Sequence, residues 1–247
     1  MPRTFLLGLL LWLPAVALAD GRLITELATE RVDITASFTG KEILIFGAIS
    51  RPGQVIIKLV SPHQAVSMSR KTRIGPVWVS EDKRDLTGAP GLFYLLSSAP
   101  IDRLLSGTLR DRYRLRLQDA AKEIHFAPAP RDLEEWRTAF LRLKKDEGYY
   151  QENDHAVALR GDRLFHASLD LPPKLPLGHY RLEIYLVNDG KVLATDTHMI
   201  EVRKVRLEHW VSDIAHLRPW LFGTGFTVMV MLLGFGLGMI LRRDIEA

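Results

Sequence analysis

One run of residues near the C-terminus limits the architectures open to this chain more than any other. From Pro219 to Leu241 it reads PWLFGTGFTVMVMLLGFGLGMIL, with no charge before Arg242 and Arg243. As a helix, the about 22 residues from Trp220 would cover roughly 33 Å, against about 30 Å for the hydrocarbon core of a bilayer. A helix in a soluble core is seldom apolar for so long. The spacing predicts one C-terminal transmembrane helix over 219–241, with 242–247 as a short tail beyond it.

The start of the chain has a different apolar pattern. Met1–Ala19 reads MPRTFLLGLLLWLPAVALA. Arg3 gives a positive leader, Phe5 to Leu13 an apolar stretch, Pro14 a break, and Ala17-Leu18-Ala19 an A-x-A cleavage site. This predicts a signal peptide over 1–19; an uncleaved anchor would export the following domain equally well. Basic residues lie on both sides of the C-terminal run: Arg203, Lys204, Arg206 and Arg218 before it, Arg242 and Arg243 after it. The export signal therefore decides the orientation, since long domains translocate largely regardless of charge. The expected location is a bacterial inner membrane crossed once, with the bulk of the chain periplasmic and the tail cytoplasmic.

The 247 residues carry a net charge of +4 and no cysteine. The missing cysteines exclude disulfides, thiolate chemistry and zinc–sulfur sites. A disulfide-free exported domain suits a periplasm and must be held by core burial. The mild, dispersed basic balance does not point to nucleic acid. About 200 residues remain between the apolar ends, enough for one large or two small domains.

Strand patterns dominate this middle region. Val32, Ile34, Ala36 and Phe38 alternate with polar neighbours. After Thr39-Gly40-Lys41, the segment Glu42 to Ser50 is apolar on both faces, as in a central strand. Arg51-Pro52-Gly53 leads to a further strand, Gln54 to Val60. Three strands on tight turns predict an antiparallel meander. Val77 to Val79 and Leu92 to Ser97 are further strand candidates, and polar Glu81 to Gly91 reads as a loop between them. Residues 101–117 carry two conflicting periods. Ile101, Leu105, Leu109, Tyr113 and Leu117 recur every fourth residue, as in a helix, while Arg110, Arg112, Arg114 and Arg116 alternate, as on a basic edge strand.

Ala127-Pro128-Ala129-Pro130 reads as a joint. Beyond it Asp132, with Glu135 three residues on, outlines a capping box for a helix carrying Leu133, Trp136, Phe140 and Leu143 on one face and ending at Gly148. Period two returns at Phe165 to Leu171 and at Tyr180 to Leu186. Asn188-Asp189-Gly190 turns the chain into a partner strand, Lys191 to Val202, whose parity implies a bulge near Thr195. Leu207, Trp210, Ile214 and Leu217 then suggest a short amphipathic helix lying at the membrane surface.

The expected fold is therefore mainly β: two immunoglobulin-like or β-sandwich-like units with intervening α-helices and one C-terminal transmembrane helix. The boundaries are 20–127 for the first unit, 128–204 for a helix plus the second unit, and 205–218 for the juxtamembrane helix.

GKEILIFGAI (Gly40 to Ile49), WRTAFLRLKKDEGYY (Trp136 to Tyr150), LFHASLDLP (Leu164 to Pro172) and PLGHYRLEIYLVNDG (Pro176 to Gly190), followed by a C-terminal span, resemble the alphaproteobacterial "putative transmembrane protein" family over nearly the whole mature chain. That family is uncharacterised and supplies no catalytic or binding residues. Its members are often encoded beside permeases of the sulfite-exporter type, so the resemblance implies an accessory role at a transport system.

Candidate sites are few. Gly234 and Gly238 have the small-x-x-x-small spacing that lets two helices approach, in a homodimer or against another integral membrane protein such as a permease. Arg110, Arg112, Arg114 and Arg116 are candidates for a small oxyanion such as sulfite or sulfate, since guanidinium forks suit such groups. The eight histidines form no H-x-x-x-H or H-E-x-x-H spacing, so neither a metal site nor another cofactor is expected. No nucleophile elbow or phosphate loop appears outside the span, and no catalytic residues are assigned. The expected function is that of a membrane-anchored periplasmic accessory protein, not an enzyme. Its partners would be the lipid bilayer and either a permease or a second copy. A periplasmic oxyanion-binding module is the alternative.

Overall fold

Alternating burial organises the chain into thirteen strands among the residues described by the computed structural model, 23–161, 163–205 and 219–243. The expected signal peptide (1–19), positions 206–218 of the juxtamembrane helix and positions 244–247 of the tail lie outside the described residues.

Two sheets face each other. The first has the order β1 (Leu23–Leu27), β3 (Lys41–Ile49), β11 (Leu164–Leu171), β10 (Val157–Arg160), all antiparallel. The second runs β2 (Arg31–Ile34), β13 (Lys191–Lys204), β12 (Gly178–Asn188), β4 (Gln54–Val60), β7 (Phe93–Ser97), β9 (Tyr150–Asn153). Its two edge pairs, β2–β13 and β7–β9, are parallel. Ile43, Ile45, Phe165 and Leu169 of the first sheet meet Ile57, Leu59, Leu182 and Ile184 of the second in one apolar core.

A third layer covers the other side of the second sheet. It comprises α1 (Ile101–Leu104), α2 (Gly107–Tyr113), a 3-10 turn (Leu117–Ala121), α3 (Leu133–Asp146) and a three-stranded sheet of β5 (His63–Ile74), β6 (Val77–Pro90) and β8 (His125–Ala127). Here Ile56, Phe93, Leu95 and Tyr185 pack against Ile101, Leu105, Leu115, Phe140 and Tyr150. The second sheet is thus buried on both faces, which is why β4 reads as one continuous apolar run apart from Lys58.

This arrangement corrects the expected division into two β-units. Both sheets combine strands from before and after Pro128, so a boundary at 127/128 separates no independent core. The expected meander is also replaced. The turn at 39–41 carries the chain from the second sheet to the first, and the turn at 51–53 carries it back. Tight turns limit the distance between strand ends, but they do not decide whether the strands pair.

The expected loop over Glu81 to Gly91 is instead the inner part of β6, paired with β5 and β8. Its polarity reflects solvent on its faces, not a lack of strand. Residues 101–117 resolve as α1, α2 and the start of the 3-10 turn, the period-four reading. Asp132 does occupy the N-cap of α3, but no side-chain capping bond forms; Glu135 pairs with Arg70 instead, at 3.0 Å. On α3, Trp136 and Phe140 are buried as expected, whereas Leu143 is exposed and Lys144 is tucked over the Tyr149 ring at 4.8 Å. The hairpin at Asn188–Lys191 forms as expected. Its bulge leaves Leu193 unpaired, two residues from the expected place, since Leu186 pairs with Ala194 and Val187 with Val192.

The C-terminal run is helical: α4 spans Pro219–Arg243, 25 residues. Among the described residues, no helix is long and apolar enough to cross a membrane.

Candidate functional site

The most unusual side chain in the β-sandwich is a lysine at the centre of its middle layer. β4 alternates toward its two covered faces, and Lys58 points into the helical layer between Ile57 and Leu59. Its register partner on β12 is Glu183. Lys58 Nζ lies 2.5 Å from Glu183 Oε2 and donates to the Tyr113 carbonyl at 2.8 Å. Tyr185 donates its hydroxyl to the same carboxylate oxygen at 2.8 Å, and its ring lies 5.5 Å from the ammonium.

Burial lowers the Lys58 pKa from its ordinary value, more than Glu183 raises it. Burial also opposes ionisation of Glu183, but the Lys58 ammonium and the Tyr185 hydroxyl outweigh it and hold the carboxyl below its usual range. Burial, together with the neighbouring carboxylate, pushes the Tyr185 phenol up. The result is a charged pair whose bonding capacity is largely spent inside the protein.

A cavity of about 450 Å³ opens beside this pair, lined among others by His63, Arg114, Glu123, His179 and Arg181. Arg114 caps α2 in the left-handed region at φ 53° and pairs with Glu123 at 2.6 Å. Arg181 has no ion-pair partner among the described residues, so it is the cation most available to a ligand there.

The four candidate arginines do not share a face. Arg110 and Arg112 lie on α2, Arg114 follows it, and Arg116 precedes the 3-10 turn. Arg112 sits over the Tyr113 ring at 5.9 Å, and Arg116 pairs with Asp111 at 3.0 Å. Arg110 and Arg116 line a separate groove that also receives Asp102, Glu152 and Asp154. Helical geometry sends alternate residues about 200° apart, so a pattern that would make one basic face on a strand is dispersed here.

Sequence reasoning missed a second polar constellation. Thr25 donates to Asp196 Oδ2 at 2.5 Å and lies 2.5 Å from His198 Nε2. These residues join β1 to β13 across the sandwich edge. They lack the geometry of a nucleophile relay, which needs the acid and the hydroxyl on opposite imidazole nitrogens. Both Thr25 and Asp196 approach Nε2, Asp196 at 3.4 Å. Only tertiary structure brings these residues together, across more than 170 positions. Among the described residues, no group of three His, Asp or Glu is placed to hold a metal ion.

The outward face of the first sheet carries an apolar patch. Register sets Ile24, Ala48 and Leu164 in one row and Glu26, Phe46 and His166 in the next, with Leu44 beside Ser168 beyond them. Ile24, Leu44, Phe46 and Leu164 are all exposed. The apolar character of both faces of β3 was legible in the sequence, but the opening of one face to solvent was not. In α4, Gly234 has open space where a side chain would be, and Gly238 lies one turn on.

No curated protein and no solved structure matches this chain. A family model described as "Putative transmembrane protein (Alph_Pro_TM)" matches residues 22–243, both sheets and the C-terminal helix together. By that match the chain belongs to this alphaproteobacterial transmembrane-protein family.

Proposed function

We propose that the chain is an accessory protein of the bacterial inner membrane. Its β-sandwich is exported, α4 is the anchor, and the exposed apolar face of the first sheet receives an integral membrane partner. A permease is the partner class implied by the family resemblance.

The observation that carries this reading is the surface of α4. Phe226, Val228, Met229, Val230, Met231, Leu232, Leu233 and Phe235 are all exposed, on every side of the helix. A helix apolar all round needs an apolar surrounding. At 25 residues α4 would extend roughly 37 Å, and its sequence stays uncharged to Leu241. Gly234 and Gly238 offer a flat strip for a neighbouring helix.

Alkaline carbonate extraction of cell membranes, followed by purification in mild detergent, tests both parts. Retention in the pellet and recovery with a second integral membrane protein are expected. Release into the supernatant would overturn the anchor, and recovery only as a lone monomer would overturn the accessory role.

A second reading, an oxyanion site, is favoured by Arg114 and Arg181 in the cavity beside Lys58. Titration calorimetry of the full chain in detergent with sulfite and sulfate tests it. Heat that disappears in Arg181→Ala supports this reading, and no heat at millimolar ligand removes it.

A further inference from the structure

β5 and β6 form a long hairpin whose root and tip are built differently. At the root, Leu86 is fully buried and Met68 packs on the helical core. Arg70 braces the arm against α3, pairing with Glu135 and lying 5.4 Å from the Trp136 ring. Beyond that point the arm leaves the body, and every residue from Arg73 to Lys83 is exposed. The seven steps from Met68 to Gly75 project roughly 23 Å at about 3.3 Å each.

The tip is apolar where a solvated hairpin would be polar. Ile74 pairs with Val77 around Gly75-Pro76, and Gly75, at φ +63°, takes the first turn position, where a type II′ hairpin favours glycine. Ile74, Val77, Trp78 and Val79 are 62%, 58%, 64% and 42% exposed. The pairing puts Ile74, Val77 and Val79 on one face and Trp78 beside Arg73 on the other, with Lys71 next along. No carboxylate occurs between Lys71 and Glu81. Asp82, at φ 56°, forms a bulge between Lys83 and Glu81 that re-aims this outer half.

We infer that this tip dips into the headgroup layer of an anionic bilayer. Resting on the reading of α4 as an anchor, it gives the sandwich a second contact with the same membrane. The chemistry at the tip fits that occupant. Aliphatic side chains enter the acyl boundary, the tryptophan sits at headgroup depth, and arginine and lysine meet lipid phosphates. The adjoining cations need a counter-charge, and lipid phosphates supply one at the depth the aliphatic face would reach.

The absence of cysteine allows a direct test on the full chain. Single variants Val77→Cys, Leu232→Cys and Lys191→Cys carry an environment-sensitive NBD label in nanodiscs of phosphatidylglycerol and phosphatidylcholine, with and without spin-labelled lipid. The expected result is blue-shifted emission at 77 that the spin-labelled lipid quenches, strong quenching at 232 and none at 191. Adding Trp78→Glu and Ile74→Glu abolishes quenching at 77 with Tm unchanged, since both side chains are exposed.

Quenching at 232 without quenching at 77 overturns the inference and leaves the anchor standing. Quenching at neither removes the anchor and this inference with it. Shielding at 77 that grows with protein concentration and ignores the spin-labelled lipid identifies a second copy as occupant and overturns the lipid assignment. Equal quenching in pure phosphatidylcholine overturns the requirement for anionic lipid.

Discussion

Lys58 and Glu183 are register partners on adjacent central strands, with ammonium and carboxylate 2.5 Å apart beneath the helical layer. Removing one member leaves the other charge unpaired at a mostly buried position. Glu183→Ala is expected to cost about 3 kcal/mol in chemical denaturation, and Lys58→Met with Glu183→Leu to recover most of that loss. Full stability in the single variant would show that the pair is hydrated.

The same pair sets an acid limb. The Glu183 carboxyl is held below its ordinary 4.5 in the fold. Its contribution is therefore fully present above pH 4.5 and is lost as pH falls through the lower folded value. Tm measured from pH 6 to 3 should fall less steeply in Glu183→Gln than in the wild type. Lys58 gives a slope of the same sign in a higher window. Its pKa is lowered from 10.5, so the unfolded chain binds the proton more readily and the penalty for burying the cation is relieved as pH rises toward 10.5.

Gly47 lies where β1, β3 and β11 converge. A Cβ there would sit 2.6 Å from both the Phe165 ring and the Ile24 carbonyl oxygen. Gly47→Ala is expected to destabilise by about 1–3 kcal/mol, with partial rescue by Phe165→Leu, read from urea midpoints. The Ile24 carbonyl cannot move without loosening β1, so rescue should stay incomplete.

Thr25 ties β1 to Asp196 and His198. Thr25→Val removes the hydroxyl at nearly constant volume and should cost about 1–2 kcal/mol. Hydrogen exchange should show the loss concentrated in β1, an edge strand, with β12 and β4 little affected. Uniform loss of protection would mean that the sandwich edge opens only with the whole fold.

If the chain acts as the proposed accessory protein, the outer face of the first sheet separates partner binding from stability. Leu44 and Phe46 are about half exposed, so Leu44→Ser with Phe46→Ser should shift Tm little. Recovery of the membrane partner in mild detergent should nevertheless fall several-fold. Unchanged recovery would move the docking surface elsewhere.

How far the sequence reached depended on what each signal reports. Alternation along Phe165–Leu171 and Tyr180–Leu186 located β11, β12 and their buried faces, because period two is a property of the strand itself. Pairing was not legible. β3 joins β11, more than a hundred residues away, and nothing local in GKEILIFGAI specifies that neighbour. Of the β5–β6 arm only Val77 to Val79 was legible as strand, because the outer half has no buried face. Gly75-Pro76, set between Ile74 and Val77, is a further local sign. Residues 101–117 stayed open between two periods, since Arg110 to Arg116 is a strand pattern laid on a helix and a turn.

Pairing between β3 and β11 has a consequence for biogenesis. The first sheet cannot close until β11 has arrived, nor the second until β13, since β3 waits for 164–171, β4 for 178–188 and β2 for 191–204. A chain made from its N-terminus pairs β1 with β3 early but leaves β2 unmatched, and only the arrival of the segment just ahead of α4 completes it. Closure of the second sheet thus waits for nearly the whole chain, and a product arrested before Lys191 would leave β2 and β12 with open edges for proteases and holding chaperones.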